Sequence, residues 1–179
     1  MEELIAEGDL RPPGKAVAAR AEVSLRTVYH HFNDLDELLR EVAARVFTRI
    51  DGLRDPVDPA WPLESRIERF VDLRVRTLES MVRFWRAGLL AADNSDEMRV
   101  WMHRGRDWLR AQVHEYFGPE LANLPEIRVA MVVDAVHMAA SAPGWDLLRK
   151  ELGRGLHHAR DVMRFTIRAA FEAAAVAEP

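Results

Sequence analysis

Apolar residues recur three and four positions apart along most of this chain, and runs that alternate with period two are hard to find. The pattern predicts an all-α protein. Glu2 to Glu7 read as a short first helix stopped by Gly8. Pro12 and Pro13 then break the chain, and Lys15 to Ala21 follow as a second short helix with Val17 and Ala21 on one face. After the turn Glu22-Val23-Ser24, Ser24 caps a third helix running from Leu25 to about Phe32. Val28 and Phe32, four residues apart, turn inward. Asp34 caps a fourth helix, with Glu37 at the capping-box distance and Leu35, Leu38, Leu39, Val42 and Val46 along one stripe.

The segment 51–62, DGLRDPVDPAWP, carries three prolines and a glycine and is the clearest connector in the chain. Longer helices are predicted beyond it: about 63–80, 84–92, 95–117, 125–140 with a short extension at 145–150, and 155–175. The connector divides the chain into an N-terminal domain over 1–48 and a helical bundle over 49–179.

Two short helices joined by a three-residue turn and braced by another helix describe a helix-turn-helix. The second helix of such a unit presents its N-terminal side chains to the major groove of DNA. With Val28 and Phe32 committed inward, Leu25, Arg26, Thr27, Tyr29, His30 and His31 are left facing outward. Arg26 can pair with guanine, and Leu25 or the Thr27 methyl can touch a thymine methyl. Ser24, Tyr29 and His31 suit phosphate oxygens, which set register rather than sequence. Lys15, at the start of the second helix, joins them as a DNA-binding candidate.

Residues 17–39, VAARAEVSLRTVYHHFNDLDELL, resemble the DNA-binding signature of the tetracycline-repressor (TetR) family of bacterial transcriptional regulators. The likeness lies in an alanine-rich helix, a Val-Ser turn, a Thr-Val-Tyr-x-His-Phe helix and a capped helix ending in leucines. The late stretch PGWDLLRKELGRGLHHARDVM also resembles the end of the family's eighth helix and the start of its ninth. The resemblance implies a dimeric regulator, a repressor, that binds operator DNA and is released when a small effector occupies the C-terminal domain. The chain departs from the pattern at Glu22, where family members have glycine, at Pro13-Gly14 in place of a hydroxyl cap, and at Leu35 in place of lysine. Its first helix is short and lacks the basic residues that commonly precede it.

Charge bears on this reading. The chain has a formal net charge of -4, and residues 1–50 hold seven Lys and Arg against nine Asp and Glu. Any nucleic-acid contact must come from a local patch. Glu22 and this acidic balance keep an alternative open, a regulator-like helical dimer that has lost DNA binding and serves as a ligand-binding or scaffold protein.

The bundle offers two further clusters. The helix EIRVAMVVDAVHMAA is apolar almost all round and must be covered on more than one side. With the last helix it predicts a two-fold homodimer interface using Val129, Val132, Val136, Met163, Ile167 and Phe171. Phe70, Met81, Trp85, Trp101 and Trp108 supply aromatic and sulfur surface for a largely apolar effector pocket. Arg74 lies on the apolar stripe of Ile67, Phe70 and Leu78, where it can snorkel outward or await an anion, either Asp134 or a ligand carboxylate. His137 is a second polar candidate there.

Enzymatic and metal-binding readings find little support. Asp134 and His137 have a helical ligand spacing but no second pair, and His157 and His158 point to different sides of a helix. No cofactor is expected. The sequence has no cysteine, which removes disulfide and thiol chemistry and suits a reducing cytoplasm. The opening MEELIAEGDL lacks a basic start and apolar core, and no apolar run approaches the ~20 residues of a membrane span. A cytoplasmic protein with no membrane partner is therefore expected.

Overall fold

The computed structural model describes residues 1–54, 56–93 and 95–176. Among them there is no strand; the chain is a succession of helices, α1 (Glu2–Glu7), α2 (Gly14–Arg20), α3 (Leu25–His31), α4 (Leu35–Asp51), α5 (Leu63–Ala92), α6 (Asp96–Leu121), α7 (Glu126–Ala140), α8 (Ala142–Asp146), one turn of π-helix (Leu147–Glu151) and α9 (Leu156–Val176). The all-α expectation holds. One expected boundary does not: the break at 80–84 is absent, and α5 runs through it. Residues 81–84, Met-Val-Arg-Phe, contain neither glycine nor proline, so nothing there stops a helix.

The caps follow the sequence. Gly8 ends α1 in the left-handed region at φ 111°, a conformation that costs glycine little. Ser24 Oγ accepts the Thr27 N–H at 3.0 Å at the start of α3. Asp34 Oδ1 accepts the Glu37 N–H at 2.6 Å, while the Glu37 carboxylate reaches back one residue further than a standard capping box, to the Asn33 N–H at 2.7 Å.

Two compact units form. The first comprises Met1–Leu53 and Ser80–Arg104; the second comprises Arg54–Glu79 and the chain from Gly105 onward. α5 and α6 each contribute to both. In the first unit, Ile5, Val17, Ala18, Val28, Leu39, Val42 and Val46 are buried, and Ala87 and Met98 join the cluster of Ile5 and Leu39. Phe47 meets Trp101 edge to face at 6.3 Å. Ion pairs fasten α1 to its neighbours: Arg20 to Glu7 at 2.7 Å and to Glu3 at 3.2 Å, and Arg49 to Glu2 at 2.6 Å.

The second unit has the larger aromatic core. Phe70 lies 5.3 Å from both Tyr116 and Phe117, and Phe117 lies 4.9 Å from Phe171. Trp145 is fully buried and donates its indole N–H to Glu79 at 2.8 Å. Arg66 is buried with its hydrogen bonds satisfied by the Trp61 carbonyl, the Tyr116 carbonyl and the Glu120 carboxylate. Arg160 and Arg164 of α9 pair with Glu68 and Asp72 of α5 at 2.7–2.9 Å, and Arg168 pairs with Glu64.

Candidate nucleic-acid interface and companion sites

α3 is a two-turn helix whose faces differ sharply. Val28 is 6% exposed and Phe32 half-buried, so one side is pinned to the first unit. The opposite side is open: Arg26, Tyr29, His30 and His31 are exposed, and Leu25 and Thr27 are partly so. The two histidine rings lie edge to face at 5.4 Å. Ser24 is exposed, and its hydroxyl also lies 2.8 Å from the Thr27 hydroxyl, so it is engaged in capping. Lys15 is exposed on α2. All eight side chains of this group lie in one unit.

Their charges are not equally available. Arg20 is neutralised by Glu3 and Glu7, whose hydrogen bonds raise its pKa, and Arg49 is held by Glu2. Among the described residues, Lys15 and Arg26 have no acidic partner. Two positive charges free to meet an anion therefore lie on α2 and α3 although the unit is acidic in sum.

Gly14 marks a missing cap in the sequence, and the structure gives it a further part. It is buried at the start of α2, and a Cβ built on it would stand 3.0 Å from the Tyr29 hydroxyl oxygen and 3.1 Å from Leu25 Cδ1. A bare backbone there leaves room for Tyr29 and Leu25 of α3 against the start of α2. The signal in the sequence is the departure itself, Pro-Gly where a hydroxyl residue is usual.

Glu22 occupies the turn between α2 and α3 at φ 55°, and among the described residues it alone has positive φ without being glycine. The turn demands a left-handed residue, which any Cβ makes unfavourable. Glu22→Gly is expected to raise the thermal midpoint by about 2–4 °C, read by circular dichroism. An unchanged or lower midpoint would mean the strain is relieved elsewhere.

The effector candidates are divided. Phe70, Arg74, Trp108 and His137 belong to the second unit, whereas Met81, Trp85 and Trp101 belong to the first. Phe70 is part of the aromatic core, and Trp101 packs on Phe47 with the Arg104 guanidinium 5.2 Å above its ring. Arg74 neither snorkels outward nor pairs with Asp134. It is 3% exposed, donates from Nε and Nη2 to the Ala140 carbonyl at 3.1 and 2.9 Å, and stacks 5.7 Å from the Trp108 ring. Burial pushes its pKa down to about 10. Asp134 is exposed and pairs instead with Arg110 at 2.6 Å.

The interface candidates also need correction. Val132, Val136, Met163, Ile167 and Phe171 are buried where α7 packs against α9, and they have no surface left for a partner; Val129 is half-buried. The apolar side chains left outside on the same helices are Ile127 (72% exposed), Met131 (66%), Met138 (72%) and Phe165 (71%). Ile127, Met131 and Met138 fall at i, i+4 and i+11, one stripe of α7.

Among the described residues, no group of three or more His, Asp or Glu is placed to hold a metal ion, and no helix is long and apolar enough to cross a membrane. No family model matches the chain, and no curated protein matches it. Among solved structures it is similar to the crystal structure of a transcriptional regulator from Rhodococcus sp. Rha1. The TM-score is 0.71 at 14% identity, over 99% of this chain and 95% of that one. The fold is thus that of a solved transcriptional regulator along its whole length.

Proposed function

We propose that the chain is a dimeric transcriptional regulator of the TetR type, acting as a repressor. Residues 1–48 bind operator DNA, and the helices beyond them bind a small effector and pair with a second copy. The observation that carries this reading is α3, held by Val28 and Phe32 with Arg26, Tyr29, His30 and His31 turned outward and Arg26 unpaired. The likeness to a solved transcriptional regulator supports it from the fold.

The outward stripe of α7 and Phe165 support dimerisation. Large apolar side chains about two-thirds exposed or more on one stripe cost free energy in water and mark an interaction surface. A two-fold partner offers the same stripe in return. Two copies also bring two recognition helices to successive turns of one DNA face. Effector and operator compete if each favours a different spacing of those helices.

The rival reading, a ligand-binding or scaffold dimer without DNA binding, draws on one observation: an exposed carboxylate, Glu22, sits at the turn into α3. A carboxylate at that place repels phosphate. One experiment separates the two readings. The protein is used to select duplexes from a random pool, and the selected DNA is titrated by fluorescence anisotropy at two salt concentrations. The regulator reading expects enrichment of a two-fold symmetric sequence and a binding constant that falls steeply with salt. No enrichment at low salt by a dimeric protein would favour the rival. Glu22→Gly, which removes one carboxylate per half-site, is expected to tighten binding to the selected duplex by about tenfold.

A further inference from the structure

The interior of the second unit holds polar groups that the protein itself leaves unanswered. Arg74 spends Nε and Nη2 on one carbonyl, and its Nη1 is buried without a partner among the described residues. Gln112 is 1% exposed, and neither its amide nitrogen nor its amide oxygen has a partner among those residues. The Nδ1 of His137 is buried and unpartnered in the same way. Buried polar groups in folded proteins are nearly always paired, and a buried cation without a carboxylate is costly.

These groups belong together. Arg74 of α5 stacks on Trp108 of α6, and Gln112 stands one turn beyond Trp108, on the same face of that helix. His137 of α7 stands one turn before Ala140, whose carbonyl Arg74 holds. Burial lowers the His137 pKa, and the Arg110 and Arg74 charges lower it further, so His137 lies within reach of the Arg74 charge. Arg74 thus touches α6 at Trp108 and α7 at Ala140, and Gln112 and His137 each stand one helical turn from one of those contacts with buried polar atoms unpartnered among the described residues.

We propose that this is an anion site, and that the effector is a small monocarboxylate carrying a hydroxyl or N–H donor beside its carboxyl group. The inference rests on the regulator reading for its biological role, but the site itself rests only on the unpartnered atoms. The carboxylate takes the N–H of Arg74 Nη1 and one N–H of Gln112 Nε2. Gln112 Oε1 then accepts from the ligand's own donor, which leaves its amide satisfied at both ends. One buried guanidinium balances one negative charge; a doubly charged phosphate would leave an uncompensated charge in the interior.

Glycolate, acetate and the neutral glycolamide are the probes, titrated against chloride at constant ionic strength and neutral pH with thermal unfolding as the readout. Glycolate is expected to raise the midpoint saturably, by about 3 °C at tenfold excess over its dissociation constant. Acetate raises it less, and glycolamide leaves it unchanged. Arg74→Met should lose the response to both anions. Gln112→Leu, which keeps the cation, should make glycolate and acetate equal, so the inference stays testable if Arg74→Met does not fold. Superposed glycolate and chloride curves for the unaltered protein, or an undiminished rise in Arg74→Met, would overturn it. The selected duplex keeps the two readings apart. A glycolate response that leaves DNA affinity untouched supports the anion site and counts against its effector role. No response in a protein that still binds the duplex removes the anion site and leaves the regulator standing.

Discussion

Met131→Asp combined with Phe165→Asp is expected to turn a dimer into a monomer and to abolish tight operator binding. Both side chains are about two-thirds exposed or more in the single chain, so replacing them removes little packing within it, and the helical circular dichroism signal should survive. In a two-fold interface each substitution appears twice, and four carboxylates would be brought together where apolar surface had been buried. Like charges so placed cost several kcal/mol in an interface that excludes water. By light scattering on a sizing column, the mass should fall from twice 20.5 kDa to 20.5 kDa. The consequence for DNA is larger than for mass. A dimer docks its second recognition helix as an intramolecular event, an advantage on the order of 100- to 10,000-fold. The monomer should therefore lose at least about 100-fold on a two-half-site duplex while binding a single half-site as the unaltered chain does. If the unaltered protein already elutes at 20.5 kDa, or the double variant still elutes as a dimer, this face is not the interface.

That prediction uses residues the sequence pattern did not choose, and the reason is physical. α7 is apolar on nearly every side, so periodicity says that it must be covered twice but not which stripe meets which cover. Val132, Val133, Val136 and Ala140 went inward against α9, and Ile127, Met131 and Met138 stayed out. α3 posed no such problem. It has two apolar anchors at a helical spacing and polar residues elsewhere, so its inner and outer faces could be read directly from residue type. Ser24 and Asp34 were equally legible because a cap is a local interaction between neighbours in sequence.

Arg74 falls between these cases. A cation on an apolar stripe is conspicuous in the sequence, but its partner proved to be the backbone carbonyl of Ala140, 66 residues away, which no side-chain pattern announces. The effector candidates were divided between units for a related reason. α5 gives its residues up to Glu79 to one unit and those from Ser80 to the other, so Met81 and Trp85 fall in a different unit from Phe70 and Arg74. Glu22 was legible as a carboxylate where the resembled family has glycine. That it also pays a backbone cost became visible only with φ 55°.

The outer face of α3 yields the sharpest division of labour between two side chains. Arg26 is exposed and unpaired, so Arg26→Ala should leave the thermal midpoint unchanged. On the selected duplex it should cost about 1–3 kcal/mol per half-site, a loss of about 30-fold to about 25,000-fold for the dimer, because a guanidinium that reads a guanine edge does so with two hydrogen bonds. On random DNA the same change should cost only the charge, and the selected consensus should blur at one position in each half-site. Tyr29 is half-exposed, with its hydroxyl oxygen close against Gly14, which sets it at the rim of α3 beside the start of α2. The regulator reading assigns that hydroxyl a phosphate oxygen rather than a base. Tyr29→Ala should weaken selected and random duplexes by the same factor, roughly five- to tenfold, with no change in consensus. Tyr29→Phe keeps the ring against Leu25 and Gly14, so equal losses for the phenylalanine and alanine variants would assign the whole effect to the hydroxyl. Parallel losses on both kinds of DNA for Arg26→Ala would remove it from base reading. A consensus altered by Tyr29→Ala would move that task to the tyrosine.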